Sequence, residues 1–213
     1  MNRDFTIFDC AQRSPEWFAA RAGLVTGSKA KVVFMKDGTA GREDYKLQLA
    51  LERLTKRVEP EPFVSAEMKH GIEKEPWCRL ATEIQYGVTV RQTGFCRHNK
   101  LAIGMSFDGD IDDFTTFTEF KAPKSKTHVN YMRTKSLPLD YQPQVMHGHL
   151  VSGAKHSIFC SGDDRLPRGL DAFFVETNVN DLPMDEYERA LTKFLKQVSD
   201  VEIELKLMIE GKL

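Results

Sequence analysis

Apolar positions recur along this chain at helical spacing near both ends and in strand-like runs through its middle. Ser14-Pro15-Glu16 reads as a helix start, with Ser as the N-cap and Pro at the first helical position. That helix carries Trp17, Phe18 and Arg21 and stops at Gly23, and another runs from near Thr26 through Val33. Residues 42–57 predict an amphipathic helix with Tyr45, Leu49 and Leu51 or Leu54 inward. Residues 65–86 predict a further one, with Met68, Ile72, Leu80 and Ile84 on its apolar side and Pro76 marking a kink or a new start. Residues 88–96, 101–107 and 116–122 then read as strands, and Asp108-Gly109 and Asp112-Asp113 supply turn chemistry between the last two. Residues 141–152 look helical. Residues 156–161 and 171–177 read as strands joined by a polar loop holding Gly162, Pro167 and Gly169. From Met184 onward Tyr187, Leu191, Phe194, Leu195 and Val198 again fall at helical spacing. The alternation predicts an α/β fold, a central mixed sheet flanked by helices, with residues 1–213 forming one domain around a single core.

Composition changes this picture little. Hydrophobic residues make up 41% and charged residues 29%, as in an ordinary soluble protein, and a net charge of −1 announces no nucleic-acid partner. Charge is nevertheless sorted locally. Between Glu16 and Asp37 the only charged residues are Arg21, Lys29, Lys31 and Lys36, and between Glu119 and Asp140 they are Lys121, Lys124, Lys126, Arg133 and Lys135. Acid-free windows of this kind suit a phosphate backbone or form plain solvated faces. Cys10, Cys78, Cys96 and Cys160 form no C-x-x-C pair and the six histidines no H-x-x-x-H pair, which argues against a zinc or iron–sulfur site. The opening MNRDFTIFDC has no long apolar run and no stretch approaches a membrane span, so the expectation is a cytoplasmic protein with reduced thiols.

The segment richest in chemistry is Ser106-Phe107-Asp108-Gly109 followed by Glu119-Phe120-Lys121. Strand alternation puts Phe117, Glu119 and Lys121 on one face, and pairing of the two strands brings Asp108 near Glu119. Phosphodiester hydrolysis uses this inventory. Mg²⁺ takes hard oxygen ligands, a few carboxylates plus waters. It polarises phosphate and lowers the pKa of a bound water, and a second ion can stabilise the leaving oxygen. A lysine alongside can orient that water and offset charge in the transition state. The Phe120 carbonyl is a further candidate ligand. A hairpin with an acidic turn and a surface Glu/Lys strand would carry the same letters.

Five ordered blocks, RSPEWFAARAGLVTGSKA, HGIEKEP, GMSFDGDI, EFKAP and YQPQVMHGHLVSG, give the chain a more specific likeness. Over roughly residues 12–160 it resembles the lambda exonuclease family of phage recombination nucleases, the YqaJ-like viral recombinases, which carry the PD-(D/E)-x-K motif. Phe107 stands where the family's motif has proline, a position that shapes the turn and is no ligand. The resemblance implies a restriction-endonuclease-like core in which Asp108 and Glu119 bind metal and Lys121 is the catalytic lysine. Glu75 matches the upstream helical glutamate of the metal site, a choice over Glu67 and Glu73 that spacing alone does not make. Gln144 matches the Y-x-x-Q element, where an amide could hydrogen-bond the scissile strand or a metal-bound water, or merely cap the core edge.

The same likeness makes Arg21, Ser28 and Ser106 a pocket for the 5′-phosphate of a DNA end. An arginine can hold a phosphate through two donors, and a helix start offers backbone N–H groups. Arg21 could equally cap a helix terminus. Trp17 and Phe18 sit in a helix and are expected to pack in the core rather than stack on bases, and His147 and His149 are expected to be structural. The implied activity is Mg²⁺-dependent 5′→3′ degradation of double-stranded DNA, with Mn²⁺ as a substitute and two ions per site. It would leave 3′ single strands for an annealing protein and run processively in a ring of three subunits. An endonuclease of the same fold and a non-catalytic DNA-binding or assembly protein are the competing readings.

Overall fold

The first strand, β1 (Phe5–Phe8), is short and lies before the first helix. The computed structural model describes residues 3–58 and 65–212. After β1 come α1 (Pro15–Arg21), β2 (Val25–Thr26), a 3-10 helix at Gly27–Phe34, α2 (Ala40–Thr55) and α3 (Ala66–Tyr86). The middle holds β3 (Phe95–His98), β4 (Ile103–Ser106), β5 (Gly109–Ile111) and β6 (Thr116–Lys121), and then α4 (Ser125–Thr134) and α5 (Gln142–Ser152). Two longer strands, β7 (His156–Gly162) and β8 (Ala172–Asn178), precede the long α6 (Met184–Ile209).

The sheet is mixed and flanked by helices, but its strands divide between two four-stranded sheets, β1-β3-β4-β2 and β5-β6-β7-β8. The break falls at Phe107-Asp108, between β4 and β5. Phe107 is buried and its ring meets those of Phe114 and Phe117 at 5.3 and 5.1 Å. This aromatic anchor faces the core. The turn after β5 is tight, with Asp112, Asp113 and Phe114 all at positive φ. Asp108-Gly109, expected as a turn, instead leads into β5, because Gly109 pairs with Thr118. A Cβ at Gly109 would come within 2.2 Å of Val90 Cγ1, so only glycine admits this close approach.

Several other expectations need correction. The run 88–96 is a strand only from Phe95. Before it, Arg91 makes an isolated bridge to Asp110. The stretch from Thr26 begins with a short strand parallel to β4 and continues as a 3-10 helix. Among the elements not anticipated from the pattern are β1, β5 and α4. In α2, Tyr45 and Leu49 are buried as expected, Leu54 is half-buried and Leu51 is exposed. Helix α3 runs unbroken through Pro76, and its expected apolar face points outward. Met68, Ile72, Leu80 and Ile84 are all exposed, whereas Cys78 and Thr82 are buried. The cause is contact with β7 at Gly162, where a Cβ would lie 2.6 Å from the Trp77 ring and 2.7 Å from Cys78 Sγ. The small residue is Gly162 on the strand, whose bare backbone seats the Trp77–Cys78 side of the helix in place of its aliphatic side.

Helices α5 and α6 behave as the periodicity predicts. Tyr187, Leu191, Phe194 and Val198 of α6 are buried, and Phe194 stacks on Tyr45 of α2 at 5.7 Å. His147 of α5 is buried with Nδ1 2.7 Å from the Tyr187 hydroxyl and Nε2 3.1 Å from the Gly104 carbonyl, a structural role. His149 likewise bonds the Ala154 carbonyl. All four cysteines are free thiols. Among the described residues no helix is long and apolar enough to cross a membrane.

Candidate active site

The site forms where β5 runs out alongside β6. Their ladder begins at Gly109–Thr118, so the stretch of β6 beyond it has no β5 residue opposite. Asp108 fills that gap: its Oδ2 accepts from the Phe120 backbone N–H at 2.6 Å. On its other edge β6 pairs in parallel with β7 as far as Lys121–Ser161, which fixes Glu119 and Lys121 on a rigid central strand. Glu119 is buried, and its Oε1 accepts from Lys121 Nζ and, at 2.6 Å, from Gln144 Nε2 near the start of α5. The Lys121 ammonium also sits over the Tyr141 ring at 5.1 Å. Gln144 thus reaches the acidic centre as expected, but its partner is Glu119 itself.

Glu75 approaches from α3. Its Oε1 accepts from Arg79 Nη2 at 2.7 Å, and the same nitrogen donates to the Asp108 carbonyl at 3.1 Å. Arg79 escaped sequence reading, although it stands one helical turn after Glu75 and an i,i+4 ion pair could have pointed to it. Glu75, Asp108, Phe120, Lys121 and Tyr141 line a shared cavity of about 360 Å³, with Ile72 at its wall. Glu67 touches this cavity too, on an exposed turn, while Glu73 does not line it.

Charge in this cavity is frustrated. Burial pushes the Glu119 carboxyl up to about 7, with Lys121 opposing and Asp108 and Glu75 adding repulsion. Burial likewise raises Asp108 against the pull of Lys121, the Phe120 N–H and Arg79. Glu75 is raised by burial and then by Asp108. Burial works to lower Lys121, but Glu119 and Asp108 overcome it and hold the ammonium above its ordinary range. Mutually repelling, desolvated carboxylates are the environment a divalent cation relieves. Among the described residues no group of three or more His, Cys, Asp or Glu side chains is placed to hold a metal ion. Mg²⁺ does not need one, since one or two carboxylates plus waters suffice. Asp108 with one neighbouring carboxylate, Glu119 or Glu75, offers the hard oxygen chemistry such an ion takes.

A second constellation gathers beside β4. The Trp17 indole N–H donates to Ser106 Oγ at 2.8 Å, and the Arg21 guanidinium lies over the Trp17 ring at 4.1 Å. Arg21 and Ser106 are therefore linked through one side chain. Trp17 is half-buried: it packs against the Ala20, Leu24 and Phe95 core as expected, and also bridges this constellation. Ser28 is exposed in the first turn of the 3-10 helix, seven positions beyond Arg21, and no hydrogen bond joins it to Ser106. The lysines of the two basic windows, Lys29, Lys31, Lys36, Lys124, Lys126 and Lys135, are exposed.

The family model of the YqaJ-like viral recombinase domain matches residues 16–155, from α1 through the α5 block and across the whole acidic cavity. The chain belongs to this family. A structure of an alkaline exonuclease (LHK-Exo) from Laribacter hongkongensis superposes with a TM-score of 0.83 at 31% identity. The likeness covers 94% of this chain and 100% of that one. The same exonuclease in complex with dAMP matches over the same shares at 30% identity and a TM-score of 0.83. A phage related exonuclease from Haemophilus somnus 129PT shares the fold alone, with a TM-score of 0.59 at 11% identity, over 85% of this chain and 96% of that one. No curated protein sequence matches this chain. The matches establish the restriction-endonuclease-like α/β fold expected for the family and support a DNA nuclease of the recombination type.

Proposed function

We propose that this protein is a Mg²⁺-dependent 5′→3′ exonuclease of double-stranded DNA that leaves 3′ single strands for an annealing protein. The observation that carries the reading is that Asp108, held to the Phe120 N–H, and Glu119, bonded to Lys121, act on each other electrostatically at the end of β5 and β6, beside the cavity that Asp108 and Lys121 line. Asp108, Glu119, Glu75 and the Phe120 carbonyl are the residues to hold the metal, two ions in the working site, with Mn²⁺ able to replace Mg²⁺. Bound there, the metal would supply a polarised phosphate and an acidified water. Lys121 would place its ammonium against charge that develops on the phosphate. Gln144, bonded to Glu119, would keep that carboxylate oriented.

Arg21, Ser106 and Ser28 form the proposed seat for the 5′-phosphate at the DNA end. A terminal phosphate carries more charge than an internal one, and a guanidinium already stacked on Trp17 is ordered for charge-assisted donation. The exposed lysines on either side would follow the backbone. A homotrimer that encloses the DNA, acting in the cytoplasm, completes the reading. Duplexes labelled at one 5′ or one 3′ end test polarity. The 5′ label should leave as mononucleotide at the first turnover while the 3′ label stays on long fragments. The opposite order of release refutes the polarity.

A further inference from the structure

Arg79 is poorly exposed, with 15% of its side chain open to solvent, yet it lines no part of the catalytic cavity. Its guanidinium joins three separate segments. On α3 it donates to Glu75 Oε1 at 2.7 Å. On the connection between β4 and β5 it donates to the Asp108 carbonyl at 3.1 Å. Ahead of β3, the Gln92 amide, oriented with its oxygen toward the guanidinium, accepts from Nη1 at 2.9 Å and from Nη2 at 3.0 Å. That last segment is itself fixed to β5, because Arg91 and Asp110 exchange backbone hydrogen bonds of 2.9 Å in both directions.

Resting on the metal-site reading above, we propose that Arg79 is a positioning residue that fixes Glu75 of α3 against the Asp108 turn and thereby sets the affinity of the site for its divalent cation. Two of its three acceptors, the Asp108 carbonyl and the Gln92 amide, lie outside the set of carboxylate oxygens a cation would take. A cation that enters leaves those two bonds intact. The bond to Glu75 engages Oε1 and restricts rotation of the carboxylate. Hydrogen bonds behind ligating carboxylates work in this way, and their loss costs roughly 10–100-fold in metal affinity or activity. The opposite possibility is that Arg79 only competes with the metal through its own positive charge. The two differ in sign, since removing a competitor tightens metal binding and removing a positioner weakens it. Only a planar fork spans three acceptors, so lysine should restore part of the effect and no more.

The test uses the full chain, with Arg79→Met, Arg79→Lys and Gln92→Leu. The last variant removes one anchor of the guanidinium together with the amide's own hydrogen bond to Glu75. Calorimetric titration with Ca²⁺, a probe that needs no turnover, should give binding about 10–100-fold weaker for Arg79→Met, with smaller losses for Arg79→Lys and Gln92→Leu. The Mg²⁺ concentration for half-maximal nuclease rate should rise in the same order, and excess Mg²⁺ should recover much of the lost rate. A purely structural arginine would lower the melting temperature without moving either metal constant. Should Arg79→Met fail to fold, Arg79→Lys and Gln92→Leu are judged by the same criterion. Folded variants that bind Ca²⁺ as tightly as the parent, or tighter, overturn the positioning role. A parent chain that binds no divalent cation overturns the metal-site reading and this inference with it.

Discussion

Substituting Glu119 by glutamine should make the metal-free protein progressively more stable than the parent as pH rises. The carboxyl is buried and carries a folded pKa of about 7 against an ordinary value of 4.5. A raised pKa means that the folded state binds the proton more tightly than the unfolded state. The associated stability is fully present below about 4.5 and is lost as pH rises through about 7. At 1.36 kcal/mol per unit, the loss is on the order of 3 kcal/mol by pH 8.5. A direct scan of the parent would hide part of this. His147, depressed by burial from 6.5 to about 4, contributes with opposite sign as its buried ring must charge in acid. That contribution is common to both proteins and cancels in the difference. Urea unfolding of parent and Glu119→Gln at pH 5, 7 and 8.5 in chelator measures it. The isosteric amide keeps an oxygen for Lys121 and Gln144, so packing changes little. The difference should shift toward the variant by roughly 3 kcal/mol between the lowest and highest pH. Adding Mg²⁺ at pH 8.5 should restore the parent far more than the variant. A difference that stays flat across this range refutes the frustrated-carboxylate account.

Other perturbations reach separate parts of the account. Asp108→Ala should abolish cleavage while duplex binding, read by fluorescence anisotropy, survives, and Lys121→Ala should slow cleavage on the order of 10²-fold or more. Cleavage should proceed with Mg²⁺ or Mn²⁺, fall to little with Ca²⁺, whose looser coordination places water and phosphate less well, and stop in excess chelator. Full activity in chelator contradicts the metal reading. Arg21→Ala should slow digestion of 5′-phosphorylated duplex much more than of 5′-hydroxyl duplex, with Arg21→Lys intermediate. Equal slowing of both substrates makes Arg21 a structural residue. Tyr187→Phe should cost roughly 1–3 kcal/mol in thermal or urea unfolding, because it strands the buried His147 Nδ1.

The sequence made the candidate catalytic strand, β6, legible because its chemistry and its periodicity coincide. Glu119 and Lys121 alternate onto one face of β6, and Asp108 arrives opposite them through the Gly109–Thr118 register. The α6 core face was equally readable, since Tyr187, Leu191, Phe194 and Val198 form one stripe. Helix α3 was not, because it carries apolar residues on more than one side. What decides its orientation is a tertiary fact, the bare backbone of Gly162 on β7, which admits Trp77 and Cys78 and leaves Ile84 outside. The division of the strands into two sheets was hidden for a similar reason. Phe107 looks like one more apolar strand residue, and only its packing on Phe114 and Phe117 shows that the chain changes sheet there. Side-chain links across long sequence distances, Arg79 to Gln92 and Trp17 to Ser106, leave no periodic signal at all.

The central claim is an end-dependent metal nuclease whose chemistry resides on Asp108. Its most direct measurement is one incubation, with Mg²⁺ at alkaline pH, of linear duplex beside the same DNA as a covalently closed circle, using the parent protein and Asp108→Ala. The account predicts that the parent degrades the linear duplex to mononucleotides and single strands, leaves the circle intact, and loses all cleavage on substitution. Cleavage of the closed circle, or undiminished digestion of linear duplex by Asp108→Ala, would contradict it.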